Sequence, residues 1–147
     1  MEEIMDKVYV IYWSQTGNTE AMANAIGKGI TDAGKEAKVV SVSEVSVDEL
    51  KEVKGFAMGC PAMGAENLEE CEMEPFVCEV EAFVKGKTVA LFGSYGWGRG
   101  EGMDDWTERM EAAGAVVVDG KGLICQDYPG ADVLAECEEL GKQLAAL

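Results

Sequence analysis

Residues 14–19, with the sequence SQTGNT, combine hydroxyl and amide side chains with a glycine, a composition that suits the binding of an anion. They lie between an apolar run at 8–12, which is typical of a buried strand, and an amphipathic helix pattern. A loop that leads into a helix exposes backbone N–H groups and the positive end of the helix dipole. We therefore predict an anion site whose members are Ser14, Gln15, Thr16, Gly17, Asn18 and Thr19.

The predicted anion site contains no Lys or Arg, which narrows the choice of ligand. A nucleotide-binding P-loop needs Gly-Lys-Ser/Thr, and a dinucleotide site needs GxGxxG. Neither motif is present here, so a single terminal phosphate held by neutral donors is the ligand that fits. Each hydrogen bond to a charged acceptor contributes about 1.5–3 kcal/mol, so several of them could replace a lysine. The alternative is an ordinary strand-to-helix turn in which Ser14 or Thr16 caps the helix.

Two further loops follow apolar strand patterns and carry flat or polarisable side chains. CPAMGAEN, after the strand pattern at 55–59, contains Met63, and GSYGWGRG, after the pattern at 88–92, contains Tyr95 and Trp97. An aromatic ring exposed among glycines is costly without a flat partner, and a thioether suits the opposite face of such a partner. The alternatives are that the rings fold back into the core and that Met63 fills the core. One phosphate, one flat ring and no basic contact suggest flavin mononucleotide (FMN).

The apolar patterns predict strands that alternate with helices. The predicted strands cover 8–12, 37–42, 55–59, 88–92 and a fifth at 115–118 and 123–125, with an interruption at 119–122. The first predicted helix ends at the C-cap glycine Gly34, and further helical patterns cover 47–52, 75–84, 104–113 and 131–147. The residues predicted to share an apolar face are Met22, Ile26, Ile30 and Ala33 in the first helix and Val133, Cys137, Leu140 and Leu144 in the last.

These elements predict an α/β fold with a doubly wound, five-stranded parallel sheet and helices on both faces, because no two-residue hairpin turn joins any two strands. In such a sheet ligands bind at the carboxyl ends of the strands, where the strand order reverses. The loops after strands one, three and four all emerge at that edge. Their convergence is a stronger indication of a ligand site than any one of the loops alone.

Size and charge limit the classes of function that are possible. The chain has 147 residues, which we interpret as one domain, and a net charge of −16. Such a surface repels nucleic acid and anionic membranes and favours basic protein partners, although acidity could also serve solubility alone. There is no histidine, which excludes histidine-based triads and histidine-ligated zinc. Any chemistry must therefore come largely from a bound cofactor.

The cysteines and the N-terminal segment indicate a reducing compartment. The five cysteines are odd in number, include no CxxC pair and are expected to be reduced and mostly buried. The acidic start MEEIMDK does not resemble a signal peptide, and no apolar run approaches the ~18 residues of a membrane span. We therefore expect a cytoplasmic protein.

Taken together, SQTGNT, CPAMGAENLEE and LFGSYGWGRGEGMDDW resemble the short-chain flavodoxins of anaerobic bacteria in order and in spacing. The similarity runs from about Val8 to the C-terminus. It implies a flavodoxin-like three-layer sandwich with strand order 2-1-3-4-5. It also implies a monomeric, low-potential one-electron carrier that shuttles non-covalently bound FMN between semiquinone and hydroquinone, in place of a ferredoxin. The implied partners are redox proteins with basic surfaces.

The resemblance implies three groups of FMN-binding residues. The phosphate would be wrapped by residues 14–19. The residues of the second loop that would contact the flavin ring are Ala62, Met63, Gly64, Ala65 and Glu66. The residues of the third loop that would surround the ribityl chain and the ring are Ser94, Tyr95, Gly96, Trp97 and Gly98.

Individual roles also follow from the resemblance. Met63 would pack on the inner face of the flavin, and Trp97 would lie against its outer region. Gly64 would present its backbone to flavin N5, and Glu66 would lie near N3. These roles make the second loop the segment that tunes the ring.

Three positions depart from the family pattern. Gln15 replaces a common glycine and adds a donor. Pro61 stands where a hydroxyl residue is frequent, which removes one phosphate contact. Gly102 replaces a residue that is often aromatic, which loosens the rim of the third loop. None of these departures removes a central role.

Two rival functions share this fold. A flavodoxin-like FMN-dependent NAD(P)H or quinone reductase needs room beside the ring for a second flat substrate, and the extra segments expected for it are absent. A response-regulator receiver domain needs acidic residues after the first strand and a phosphorylatable Asp after the third. Trp13-Ser14 and Cys60-Pro61 occupy those places, which disfavours that class.

Replacement of Ser14 or Thr16 by alanine tests the phosphate assignment. We expect each variant to bind FMN more weakly by about 1.5–3 kcal/mol, the contribution of a hydrogen bond to a charged acceptor. Riboflavin lacks the phosphate and should bind each variant almost as tightly as it binds the wild type. Fluorescence titration with each flavin measures both affinities, and equal losses for the two ligands would contradict the assignment.

Overall fold

The protein folds around one parallel sheet. The computed structural model describes residues 7–13, 17–51, 53–60, 72–95, 101–120, 122–126 and 129–146. The strands are β1 (Lys7–Tyr12), β2 (Glu36–Ser41), β3 (Gly55–Gly59), β4 (Thr88–Tyr95), β5 (Val116–Val117) and β6 (Leu123–Gln126). Their order is β2-β1-β3-β4-β5, and β6 also pairs with β4. All of these pairings are parallel, as the strand–helix alternation predicts.

The helices cover both faces of the sheet. They are α1 (Asn18–Asp32), α2 (Val47–Leu50), α3 (Met73–Glu81), α4 (Glu101–Ala112) and α5 (Ala131–Ala145). One core lies under α1 and α5, and the other lies under α2, α3 and α4. The side chains of β1 alternate between the two, with Val8 and Val10 facing the first core and Tyr9 and Ile11 facing the second. The predicted three-layer α/β architecture is therefore confirmed.

β4 and the fifth predicted strand differ from the sequence prediction in length. β4 continues to Tyr95, beyond the predicted end at Phe92, because Phe92–Tyr95 pair residue by residue with β6. The fifth strand is divided, as predicted. β5 pairs with β4 at Thr88 and Val89, and a 3₁₀ turn at Val118–Gly120 follows, with Asp119 at φ 63°.

Helix ends also differ from the predicted bounds. α3 begins two residues before Pro75, which is tolerated there because the first turn of a helix does not need its N–H groups. α4 begins at Glu101 and so includes Gly102, which was predicted to lie in a loop. Ala33 is exposed rather than part of the buried face, because the chain leaves α1 there. The next residue, Gly34, adopts φ 93°, and Lys35 N donates to the carbonyl of Ile30, which is the predicted glycine C-cap.

Helices α1 and α5 approach each other closely through two glycines. A Cβ atom on Gly29 would overlap the carbonyl oxygen of Glu138 in α5, and one on Gly141 would overlap the carbonyl oxygen of Ile26 in α1. Both glycines are buried. The two helices therefore pack backbone against backbone at this crossing, and only glycine fits at either position.

Gly141→Ala tests this close packing. Alanine is favoured over glycine in a helix by about 1 kcal/mol, so the substitution would stabilise an unobstructed helix. Here the added methyl group must separate α1 from α5, and overpacking of this kind costs about 1–3 kcal/mol. We expect a net loss of unfolding free energy of about 1 kcal/mol or more in urea titration. Gln143→Ala, at an exposed position of the same helix, is the control and should change stability by less than about 0.5 kcal/mol.

Candidate functional site

The strand order reverses at the carboxyl ends of β1 and β3. From β1 the chain passes through α1 to β2 on one side, and from β3 it passes through α3 to β4 on the other. The two connections leave neighbouring strands in opposite directions, and a crevice between them is the usual ligand position in such sheets. The predicted phosphate loop and the predicted ring loops all leave the sheet at this edge.

The predicted phosphate loop, residues 14–19, includes the glycine at which α1 begins. Gly17 occupies the N-cap position with φ 92° and ψ −7°, a left-handed conformation that glycine adopts at little cost. A Cβ atom there would meet nothing within 4 Å, so the backbone conformation rather than space requires the glycine. The N-cap residue is therefore Gly17 rather than Ser14 or Thr16, and as a glycine it has no side chain of its own with which to cap the helix. A helix start of this kind beside the crevice suits an anion.

The residues after Gly17 anchor the helix start. Thr19 is completely buried, and Glu20 in the first turn accepts a hydrogen bond from the hydroxyl of Tyr12 at 3.1 Å. Burial and the neighbouring Glu20 raise the pKa of Tyr12, so the hydroxyl stays protonated as the donor. The last residue of β1 thus holds the first turn of α1.

The ends of β3 and β4 lie unusually close together. A Cβ atom on Gly59 would overlap the ring of Phe92, and one on Gly93 would overlap the carbonyl oxygen of Cys60. Cys60 N also donates to the carbonyl of Phe92 at 3.1 Å, which continues the pairing past the end of β3. The two predicted ring loops therefore begin from adjacent, tightly paired strand ends.

An arginine clamps the helices that follow those two loops. Arg109 of α4 donates to both carboxylate oxygens of Glu74 in α3, at 2.9 and 2.7 Å, and to both oxygens of Glu81, at 2.8 and 3.2 Å. The bond from Arg109 holds the pKa of Glu74 below its usual value, and Glu74 in turn raises the pKa of Arg109. Because the Arg109 side chain is only about a quarter exposed, at 27%, this bidentate pairing fixes α3 relative to α4.

The described cysteines are free thiols, as predicted: Cys60, Cys125 and Cys137 are buried, and Cys78 is exposed. Burial raises the pKa of Cys137 to about 12, so this thiol remains neutral. Cys71 lies outside the described residues. Across the described ranges, no group of three His, Cys, Asp or Glu residues could hold a metal ion. In the same ranges, none of the helices has the length and apolar character needed to cross a membrane.

The predicted site residues are described only in part. Gly17, Asn18 and Thr19 lie at the start of α1, and Ser94 and Tyr95 form the end of β4 rather than the loop that was predicted. The remaining predicted members lie outside the described residues: Ser14, Gln15, Thr16, Ala62, Met63, Gly64, Ala65, Glu66, Gly96, Trp97 and Gly98. Pro61 lies outside them as well.

Sequence reasoning missed two features that border the site. One is the pair of ion pairs that Arg109 makes with Glu74 and Glu81. The sequence signal for it is composition: the chain has only two arginines and 28 carboxylates, so each arginine is expected to have acidic neighbours. The other is a hydrogen bond from the Trp13 indole to the Glu72 carboxylate. The sequence signal for this bond is a tryptophan at the end of a strand, because a half-buried indole N–H usually has a hydrogen-bond acceptor.

Comparison with known proteins gives one consistent result. The family model described as flavodoxin matches residues 10–141. The chain is 49% identical to a flavodoxin of Clostridium beijerinckii, over 92% of this chain and 97% of the relative. It is 45% identical to the flavodoxin of Megasphaera elsdenii, over 94% and 98%. The solution structure of the two-electron reduced Megasphaera elsdenii flavodoxin superposes with a TM-score of 0.86 at 43% identity, over 95% of this chain and 99% of that chain.

The strand order, which reverses at the carboxyl ends of β1 and β3, and the helices on both faces define a doubly wound parallel α/β protein. The chain belongs to the flavodoxin family, in its short-chain class. Its cofactor is accordingly FMN, and its function is electron transfer rather than substrate turnover. Neither the reductase nor the receiver-domain reading is favoured. The described residues fit FMN at its phosphate end, where the left-handed Gly17 is the N-cap of α1 and the helix dipole favours an anion.

Gly17→Ala tests the contribution of the helix start, and the chain offers a matched control. Gly17 and Gly34 lie at opposite ends of α1 with φ of 92° and 93°, and a Cβ atom would meet nothing within 4 Å at either. Alanine in this left-handed conformation should therefore destabilise the apoprotein by about 1–2 kcal/mol at both positions. Only Gly17→Ala alters the backbone beside the anion, so only this variant should weaken FMN binding, by about tenfold.

Urea unfolding of the apoproteins and fluorescence titration with FMN measure the two effects separately. An equal loss of FMN affinity in Gly17→Ala and Gly34→Ala would show that the start of α1 has no special role in binding.

Proposed function

We propose that this flavodoxin holds the FMN phosphate in residues 14–19 and the flavin ring between the loops after β3 and β4, and that it passes single electrons to basic redox proteins. The observation that carries the proposal is the left-handed Gly17, which starts α1 at the edge where the strand order reverses. Bound FMN supplies the redox chemistry, because it accepts and donates electrons one at a time. The chain's own residues bind, orient and shield it.

The phosphate end of the proposed site relies on neutral donors. No Lys or Arg occurs among residues 14–19, and the first acidic residue of α1 is Glu20, which is engaged by Tyr12. The positive end of the α1 dipole complements an anion there. Specificity for FMN over riboflavin would then come from backbone and hydroxyl hydrogen bonds.

The ring end of the proposed site depends on the spacing of two loops. The close approach of Gly59 to Phe92 and of Gly93 to Cys60 holds the end of β3, where the second loop starts, against β4 close to the start of the third loop. Arg109 fixes the helices at the far ends of the same loops. A flat ring placed between loops with fixed ends loses little binding energy to loop ordering. Met63, Gly64 and Trp97 are the proposed ring contacts, on the strength of their sequence motifs.

The acidic surface beside the second loop is the proposed docking region for partners. Of the 28 carboxylates, seven lie between Glu66 and Glu81 without an intervening Lys or Arg. Arg109 pairs with Glu74 and Glu81, whereas Glu79 is exposed and has no ion pair among the described residues. Glu72 and Glu79 border a shallow groove of about 360 Å³ between residues 42–47 and α3. A surface of this sign favours an approaching cation.

The free thiols and the size of the chain support a proposal for its compartment and its oligomeric state. Free cysteines in the described part of the chain fit a reducing compartment, which supports the cytoplasm. A single-domain monomer of 147 residues is the form that we propose. A small, mobile carrier of this kind would exchange between several partners.

Glu79→Gln tests whether the acidic surface guides partners. We expect electron transfer from the reduced protein to a cationic protein acceptor, such as cytochrome c, to slow by two- to threefold at low salt. This corresponds to about 0.6 kcal/mol for two opposite charges ~7 Å apart in water. Stopped-flow rates should converge with those of the wild type as ionic strength rises past the physiological value, because salt screens exposed charges.

Glu139→Gln is the matched control, because it removes the same charge from an exposed position of α5 on the opposite face of the sheet. Its rate should stay close to that of the wild type. Equal slowing in the two variants would assign the effect to net charge alone. If the wild-type rate does not depend on salt, the acidic residues between Glu66 and Glu81 have no role in guiding partners.

A further inference from the structure

A cleft of about 220 Å³ lies at the outer edge of the sheet, between the 3₁₀ turn that follows β5, the start of β6 and one face of α5. Leu123 and Leu140 line it, and Leu140 is buried while Leu123 is half-buried. Asp119, Glu136 and Glu139 line it as well, and all three are exposed. The cleft therefore has an apolar floor and an acidic rim.

Helix α5 supplies one wall of this cleft. Glu136, Glu139, Leu140 and Gln143 line it and follow the i, i+3, i+4, i+7 spacing that places side chains on one face of a helix. The 3₁₀ turn supplies another part of the wall, where Asp119 adopts φ 63°. A helix face and a tight turn thus hold three carboxylates around the leucine side chains.

The described lining residues of the cleft carry negative charge only. They include no Lys or Arg, and no ion pair joins Asp119, Glu136 or Glu139 to another described residue. Carboxylates gathered around an apolar floor repel one another, and each of them attracts a cation that enters the cleft. The complementary ligand is therefore a cation that also has an apolar part.

A lysine side chain has this combination of properties. Its aliphatic stem can lie along an apolar surface while its ammonium group stays in water at the rim. The ammonium group has three N–H donors, which suits three separate carboxylates, whereas the flat fork of arginine is matched to a single carboxylate. The volume of about 220 Å³ is also below the roughly 300–1,000 Å³ of pockets for drug-sized ligands, which favours one inserted side chain.

We propose that this cleft is a docking site for a lysine side chain of a partner protein. The stem of the lysine would lie along Leu123 and Leu140, and its ammonium group would meet the acidic rim. Gln143 is exposed on the same wall, and its amide offers a donor and an acceptor to the partner's backbone beside the lysine. The inference goes beyond the proposed electron transfer, because it concerns a different surface.

The position of the cleft leaves the edge of the proposed flavin site uncovered. Leu123 begins β6, three residues before that strand ends at Gln126 beside Tyr95 of β4. At about 3.3 Å per residue, Leu123 lies ~10 Å from the carboxyl end of its strand. A partner docked here would hold the carrier while a second protein exchanges electrons at the carboxyl edge. The Glu139→Gln variant should therefore keep its wild-type electron-transfer rate even though it alters this cleft.

The experiment uses the tripeptide acetyl-Leu-Lys-Leu-amide as the probe and follows the backbone amide resonances of the holoprotein by NMR. We expect saturable shifts at Asp119, Leu123 and Leu140, with an affinity in the millimolar range that falls as salt rises. The same peptide with norleucine in place of lysine keeps the stem and lacks the charge. Methylammonium keeps the charge and lacks the stem. Both should bind at least threefold more weakly than the lysine peptide, on the order expected when one of two contacts is lost.

Variants assign the binding to the acidic rim. Glu136→Gln and Glu139→Gln each remove one charge and keep the side-chain length, so each should weaken the lysine peptide by about two- to fivefold, as for an exposed ion pair. Glu108→Gln, at an exposed position of α4 on the other face of the sheet, is the matched control and should bind as the wild type does. Gln143→Ala should weaken the peptide but leave the affinity for n-butylammonium unchanged.

Several results would overturn the inference. Equal affinity for the norleucine and lysine peptides would remove the role of the cation, and an equal loss in Glu108→Gln would assign binding to net charge. Binding of n-butylammonium as tight as that of the peptide would identify a free amine, rather than a partner protein, as the ligand. Shifts confined to other residues would place the peptide elsewhere. None of these results depends on where FMN binds, which the Ser14 and Thr16 variants test separately.

Discussion

The backbone pairing of β1, β3 and β4 at their carboxyl ends is the constraint on which the rest of the structure depends. Trp13 N bonds to the carbonyl of Gly59, and Cys60 N bonds to the carbonyl of Phe92, so the ladder continues to the point where the loops begin. Glycine at 59 and 93 permits this approach. If the strands were not paired at this edge, the position of each loop relative to the other two would not be fixed. The pairing brings the strand ends from which the three predicted site loops leave to one edge of the sheet.

The helices on the two faces of the sheet stabilise this edge in different ways, by close packing on one face and by ion pairs on the other. On the α1/α5 side, contact between the two helix backbones at Gly29 and Gly141 leaves little freedom for relative movement. On the α3/α4 side, the carboxylates would repel one another, and Arg109 offsets two of them at close range. A net charge of −16 is therefore compatible with a rigid framework, because most of the described carboxylates lie on exposed surface where water and salt screen them.

Local sequence signals predicted most of the fold, and long-range contacts account for what they missed. The strand–helix alternation, the glycine C-cap at Gly34 and the division of the fifth strand were all predictable, because each depends on neighbouring residues. The extension of β4 to Tyr95 was not, since it requires pairing with β6 more than twenty-five positions away. The bonds of Trp13 and of Arg109 span 59 and 35 positions at their widest. At the site, the loop assignments stay predictions, and the described contacts of Trp13 and Arg109 were not predicted because their partners are distant in sequence.

The break between β5 and β6 has a consequence for the modularity of this fold. The 3₁₀ turn at Val118–Gly120 lies on the strand at the far edge of the sheet, and its Asp119 and Gly120 are exposed in left-handed conformations. Residues Ala90 and Leu91 of β4 lie between the two paired segments. Extra chain introduced at Asp119–Gly120 would project from this edge without displacing a paired residue. Evolution or a protein engineer could thus graft a second module there, a sensor or a tether, and leave the electron-carrying edge intact.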